Sequence, residues 1–325
     1  MRTGILLDEI GVPFGDVVAQ AKEAARLGYD SIWLAQRGGW DALTALTALS
    51  AAAPGLALGT SVVPTYSRHP ISLAAQALTL QAATGAPVSL GVGLSHRPII
   101  EGQYGYSFDR PVRHLREYLQ ALDPLLHHEK ADVHGETLTA VGTVEAPGAE
   151  PPSVLVGALS PLSLKVTGAH SDGVASTWAG PRSLAEYIVP TLTKAASDAG
   201  RAAPRIVTGQ LISVTDDPDG PRNWVAETYG MAANIPAYQA IFTRDRVDGP
   251  GGTVIAGDEE FVRARIRELE EAGATELIVM PVGTAEEQAR TRELFACRIP
   301  TVHSGHLQAG KCPIDSHLPA LQQGS

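Results

Sequence analysis

Arg26-Leu27-Gly28-Tyr29-Asp30-Ser31-Ile32-Trp33-Leu34 reads as the last turn of a helix, a glycine and then a buried strand. Glycine at that point suits a left-handed helix cap, after which the chain passes directly into extended structure. The same join is expected at Val166-Thr167-Gly168, ahead of a run near Gly173, and at Glu271-Ala272-Gly273, ahead of Ala274-Thr275-Glu276-Leu277-Ile278-Val279. Working outward, eight short runs are separated by helix-length segments: Ile5–Leu7, Ser31–Ala35, Leu56–Val63, Val88–Gly93, Val154–Gly157, Gly173–Ser176, Ile206–Val214 and Glu276–Pro281. Their nearly unbroken apolar character is that of strands buried on both faces, and the alternation predicts a parallel α/β fold.

Eight such units favour a closed (β/α)8 TIM barrel over an open sheet. The first turn, Asp8-Glu9-Ile10-Gly11-Val12-Pro13, also lacks the glycine fingerprint that an open dinucleotide-binding sheet carries there. Over Arg110–His127, Val112, Leu115, Leu119, Leu122 and Leu126 share one face while Arg113, Arg116, Glu117 and Gln120 share the other, the pattern of an outer-ring helix. Two stretches interrupt the alternation. Lys130–Pro152 reads as a hairpin insertion between the fourth helix and the fifth strand. Asp216–Gly252, after the seventh strand, carries a helical pattern around Trp224–Tyr238 and ends in Asp248-Gly249-Pro250-Gly251-Gly252, a candidate lid. The barrel is expected over 1–299, and 300–325, which has no apolar face, as a tail outside the domain.

The chain has 325 residues, which a single inflated barrel accommodates. With 44% apolar and 18% charged residues it is globular, and no apolar run is long enough to span a bilayer. A formal charge of -10 and scattered arginines argue against nucleic acid as a partner. Two cysteines, Cys297 and Cys312, make no disulfide framework, so a cytoplasmic location is expected. Alanine-rich helices at Ala42–Ala53 and Ala74–Ala83 would allow a homodimer but fit a monomer's own packing equally well.

In such a barrel the chemistry sits at the C-terminal ends of the strands. No lysine falls there, since Lys22, Lys165 and Lys194 lie on outer helices and Lys130 in the insertion, which argues against a Schiff-base aldolase. The ten histidines, including His127-His128 and the tail set His303, His306 and His317, show no strand-end spacing suited to a metal, so none is expected. At Gly157-Ala158-Leu159-Ser160-Pro161 a strand ends, Ser160 can cap the next helix and Pro161 suits its first turn, leaving amides that attract phosphate. An ordinary helix start is the bland reading of the same residues. Gly91-Val92-Gly93 ends the fourth strand and would let backbone approach a ligand, with His96 able to move a proton and Arg97 able to meet an anion. His69, before Pro70, reads as structural or rim-lining.

The run Leu58-Gly59-Thr60-Ser61-Val62-Val63-Pro64-Thr65-Tyr66-Ser67-Arg68-His69-Pro70, followed by Leu90-Gly91-Val92-Gly93, resembles the luciferase-like flavin and deazaflavin oxidoreductases. Ser95-His96-Arg97, Tyr104–Pro111 and Arg116–Leu119 are similar to the actinobacterial branch that uses coenzyme F420, and the resemblance covers residues 1 to about 298. It implies a deazaflavin at the strand C-termini, with its ring backed by a bulge whose cis peptide would be Ser61-Val62. It further implies contacts from Gly93, Leu94, Ser95 and Arg97, a phosphate site at Gly157, Ala158, Leu159 and Ser160, and Trp178 flanking ring or substrate. Several relatives carry a histidine after the second strand where this chain has Gln36, which cannot supply a proton. The expectation is therefore hydride transfer to a small organic molecule with an activated C=C or C=N bond, the proton coming from water, His96, Glu9 or Tyr66. An FMN-dependent monooxygenase and a non-catalytic flavin or deazaflavin binder are the alternatives.

Overall fold

The computed structural model describes residues 1–296, so the tail from 300 with its histidines, and both cysteines, lie outside the described residues. Through the first half of the chain the order is β1 Arg2–Leu6, α1 Phe14–Leu27, β2 Ser31–Leu34, α2 Ala42–Ser50, β3 Ala57–Thr60, β4 Val63–Pro64, α3 Pro70–Thr84, β5 Val88–Gly93, α4 Arg97–Gly102 and α5 Pro111–Leu126. A hairpin, β6 Ala131–His134 and β7 Thr139–Gly142, precedes β8 Ser153–Gly157, α6 Pro161–His170, β9 Gly173–Thr177, α7 Pro181–Ser183, a π-turn over Leu184–Ile188 and α8 Val189–Asp198. The remainder is β10 Arg205–Val214, α9 Asp219–Thr228, α10 Pro236–Asp245, β11 Ile255–Gly257, α11 Glu259–Glu271, β12 Glu276–Pro281 and α12 Ala285–Leu294.

Parallel pairing runs β12-β1-β2-β3-β5-β8-β9-β10 and closes through β10 with β12, giving the eight-stranded (β/α)8 barrel. The principal core lies between the sheet and the surrounding helices, where Ile32, Leu34, Leu58 and Leu90 pack against Leu46, Leu78 and Leu122. A smaller cluster of Trp33, Leu155, Ala175, Val207 and Ile278 fills the lumen, with Leu6, Val62 and Met280 packed against it. The floor of the lumen is polar. Arg205 donates to Glu276 at 2.8 Å and to Ser89 and Ser153 at 3.0 Å, while Ser31 donates to Glu276 at 3.0 Å and accepts from Trp33 Nε1 at 2.8 Å. Ser31, Ser89, Ser153, Arg205 and Glu276 all stand at the first or second position of their strands, so the floor closes the end opposite the loops that could do chemistry.

Three expectations need correction. Gly28 and Gly273 cap their helices in the left-handed region, at φ 79° and 99°, but Gly168 lies inside α6. A Cβ there would stand 2.6 Å from the Leu192 carbonyl oxygen, so this glycine serves close helix approach between α6 and α8 rather than a turn. The run read as one third strand breaks into β3 and β4, with Ser61-Val62 cis between them. Glu117, placed on the solvent face of α5, is buried because the turn of the β6–β7 hairpin folds over it, its carboxylate accepting from the amides of Glu136 and Thr137 at 3.0 and 2.8 Å. Both insertions occur where expected, and β11, which was not read as a strand, pairs with the far half of β10.

Candidate active site

The site is built around the break between β3 and β4. Ser61 N–H donates to the Leu34 carbonyl at 2.8 Å and Gln36 N–H to the Val62 carbonyl at 3.3 Å, so the bulge is pinned to the end of β2. Pinned there, Val62 lays its side chain across two glycines: a Cβ on Gly93 would come within 2.6 Å of Val62 Cγ2, and one on Gly157 within 3.4 Å. A Cβ on Gly91 would collide with the Thr60 carbonyl oxygen. The Gly91-Val92-Gly93 pattern, read as room for a ligand, is thus first of all room for the bulge.

Beside this wall, Ser160 caps α6 in a reciprocal box with Ser163: each side chain accepts from the other's backbone N–H, at 3.2 and 3.1 Å. Among the described residues the amides of Leu159 and Leu162 have no acceptor, as is usual around a helix start. On the other side Gln36 is held by its acceptor. Its Oε1 takes hydrogen bonds from Ala42 N–H at 3.0 Å and Arg68 Nη2 at 3.1 Å, leaving only its amide N–H2 to interact with a ligand. Arg68 also pairs with Asp41, and its Nη1 is buried with no partner.

Glu9, three residues beyond β1, is 1% exposed and accepts both bonds of a bidentate pair from Arg37, at 2.9 and 2.8 Å, so its oxygens are committed. Tyr66 lies flat on the His114 ring, centroids 4.0 Å apart, with Phe108 at 5.4 Å. Its hydroxyl is buried without a partner, and burial pushes the phenol up to about 12. Burial likewise drives His114 down to about 4, while its Nε2 stays 3.2 Å from Thr65 Oγ1. His96 is held below the ordinary imidazole range by burial, and its Nε2 is 3.3 Å from the Tyr238 hydroxyl. That contact joins the loop after β5 to the insertion after β10. Ser95, one residue earlier, has φ 60°, and Leu94 beside it is half-buried.

Trp178, at the end of β9, has φ 72°, a conformation costly for a bulky side chain and held by its surroundings. It is 8% exposed and packs edge-on against Tyr229 at 5.5 Å, Phe242 at 6.1 Å and Tyr238 at 6.2 Å, so it supports the insertion as a roof over the mouth. Arg97 does not face a vacant anion site. Its guanidinium pairs with Glu101, reaches Asp109 at 3.7 Å and donates to the Phe108 carbonyl at 3.1 Å. Among the described residues no three His, Cys, Asp or Glu side chains are grouped as metal ligands, and no helix is long and apolar enough to cross a membrane.

The structure thus brings Gln36, Ser61, Val62, Gly93, Gly157 and Ser160 onto neighbouring strand ends. It adds Arg68, His114, Tyr229 and Tyr238, which were not singled out. His114 had a signal: with Tyr118 and Leu125 it forms a second buried stripe on α5, beside the leucine stripe. Arg68 had none, because its pairing with Gln36 and Asp41 depends on how the two loops fold together.

The chain is 25% identical over 320 residues to a Mycobacterium tuberculosis protein provisionally named a coenzyme F420-dependent oxidoreductase, covering 84% of this chain and 91% of that one. In fold it is similar to the coenzyme F420 dependent tetrahydromethanopterin reductase from Methanopyrus kandleri, with a TM-score of 0.76 at 20% identity over 91% of this chain and 97% of the other. It is similar also to an F420-dependent secondary alcohol dehydrogenase, with a TM-score of 0.75 at 18% identity over 93% and 99% of the two chains. Residues 2–276 match the luciferase-like monooxygenase family, and with the strand-end bulge and closed barrel in place, the chain belongs to that family.

Proposed function

We propose that the protein is a coenzyme F420-dependent oxidoreductase that reduces an activated C=C or C=N bond of a small organic substrate. When bound, the deazaflavin supplies a hydride donor and acceptor at its C5 position. The residues fit such a group: Val62 lies across Gly93 and Gly157, whose lack of side chains lets the bulge form a wall at the strand ends, and in the neighbouring segment the amides of Leu159 and Leu162 lack an acceptor and could take a phosphate. Leu94, Ser95 and Ala158 line the same strand ends, and Trp178 holds the roof that excludes water.

One observation carries reduction over alcohol oxidation. Removing a hydride from an alcohol requires a base at its hydroxyl. Gln36 has its only acceptor occupied by Ala42 and Arg68, and Glu9 is locked to Arg37. The His96–Tyr238 pair, neutral at pH 7, can exchange a proton in either sense, so the preference for reduction rests on Gln36 standing after β2 with its acceptor occupied.

Absorbance titration of the full chain with coenzyme F420 and with FMN, followed by reduced cofactor plus a panel of enones and imines, tests this. Saturable binding of F420 and bleaching reversed by the panel is the expected result. Binding of FMN alone, with oxygen consumed by the reduced flavin, would instead make it a monooxygenase. F420 bound without turnover of any panel member or alcohol would make it a carrier.

A further inference from the structure

Arg244 stands apart from the other arginines around the barrel mouth. Arg37, Arg68, Arg97, Arg182 and Arg222 each have a carboxylate partner. Arg244 makes no hydrogen bond or ion pair among the described residues, and its Cζ instead lies 3.9 Å from the centroid of the Tyr187 ring. Arg246, two residues on, also lacks a carboxylate, but it is exposed and serves as the left-handed cap of α10. A guanidinium stacked on a ring is held by its face, so the N–H donors along its edge stay available for a planar or tetrahedral anion.

The support is itself fixed at both ends. Tyr187 lies in the π-turn Leu184–Ile188, an irregularity that redirects a side chain and is frequent at functional sites. Its hydroxyl donates to the Leu159 carbonyl at 2.9 Å, which ties the ring to the segment between β8 and α6. On the other side Asp245 accepts from the amides of Gly180 and Ser183 at 2.9 and 2.8 Å, locking the last turn of α10 onto the start of α7. Arg244 is therefore carried by the insertion yet held over the segment beside the wall of Gly157 and Val62, in a chain whose formal charge is -10. In that setting an uncommitted cation attracts an anionic ligand against the overall field.

We infer that Arg244, supported by Tyr187, is the side chain with which the insertion binds the phosphoester of the cofactor. This rests on the cofactor reading above for the place of the ring, but not on which ring is bound.

The test titrates the full chain with coenzyme F420, its phosphate-free deazaflavin core, FMN and riboflavin, following ring absorbance and fluorescence. Arg244→Gln is expected to weaken the phosphate-bearing member of whichever pair binds by at least about tenfold, with the phosphate-free member unchanged. Arg244→Lys should recover part of that loss, because a point charge replaces a stacked fork. Tyr187→Ala should resemble Arg244→Gln, because the guanidinium loses its support. An Arg244→Gln protein that keeps the wild-type ratio between phosphate-bearing and phosphate-free ligands overturns the inference and leaves the cofactor reading standing. A wild-type chain that binds neither ring overturns both. If FMN alone binds, the deazaflavin reading falls, and the FMN-to-riboflavin ratio decides the role of Arg244.

Discussion

The stack of His114 on Tyr66 buries two titratable rings whose neutral forms the fold requires. For His114 the folded pKa is depressed, from about 6.5 to about 4, so the unfolded chain binds a proton in that window which the folded chain refuses. Stability contributed at this residue is therefore full above about pH 6.5 and declines as the pH falls toward about 4, by up to about 3 kcal/mol. His114→Gln removes the titration. The stability difference between wild type and variant, from urea unfolding, is expected to fall between neutral pH and the acid end, and a difference flat with pH would count against it. Gln36 shows why residue type alone is an incomplete guide to chemistry. Its identity was legible as the absence of a proton donor, but the occupation of its Oε1 by Ala42 and Arg68 comes from the fold.

At the scale of elements, α6 and α8 approach so closely that position 168 has no space for a side chain. Gly168→Ala is expected to lower stability by about 1–3 kcal/mol, seen as a reduced thermal midpoint with cofactor affinity little changed. An unchanged midpoint would mean that the two helices can separate freely. Helix-capping logic predicted a turn at this glycine because Gly28 and Gly273 do make one. Local sequence around Gly168 is the same in kind, and only the packing partner distinguishes it, which no local pattern encodes. The eight barrel strands were legible for the opposite reason: burial on both faces leaves a continuous apolar run within each strand itself. β11 escaped because three residues, Ile255-Ala256-Gly257, carry too little pattern, and Arg97 was read as an anion ligand because Glu101 and Asp109 reach it only once the loop has folded.

Across the whole molecule, the polar floor at one end of the barrel and the mouth at the other divide stability from chemistry. Arg205→Met leaves the Glu276 carboxylate buried without its cation and is expected to cost about 3–5 kcal/mol, read from the denaturant midpoint. Adding Glu276→Leu should recover most of that loss, and KM should be unmoved in both variants. A KM shift as large as the stability loss would show that floor and mouth are not separable. The pairing of β10 carries a wider consequence. Its first half lies against β9 and its far half against β11, in the registers Ile212↔Ile255 and Val214↔Gly257, so the intervening segment 215–254 leaves and re-enters the barrel along one strand edge. Because that pairing already holds the two ends together, lengthening the segment adds only a slowly growing entropic cost. The barrel is thus a socket, and what is plugged into it between Val214 and Ile255 is an exchangeable cassette: transplanting this segment onto a related barrel should carry substrate preference with it while the host's folding stays its own.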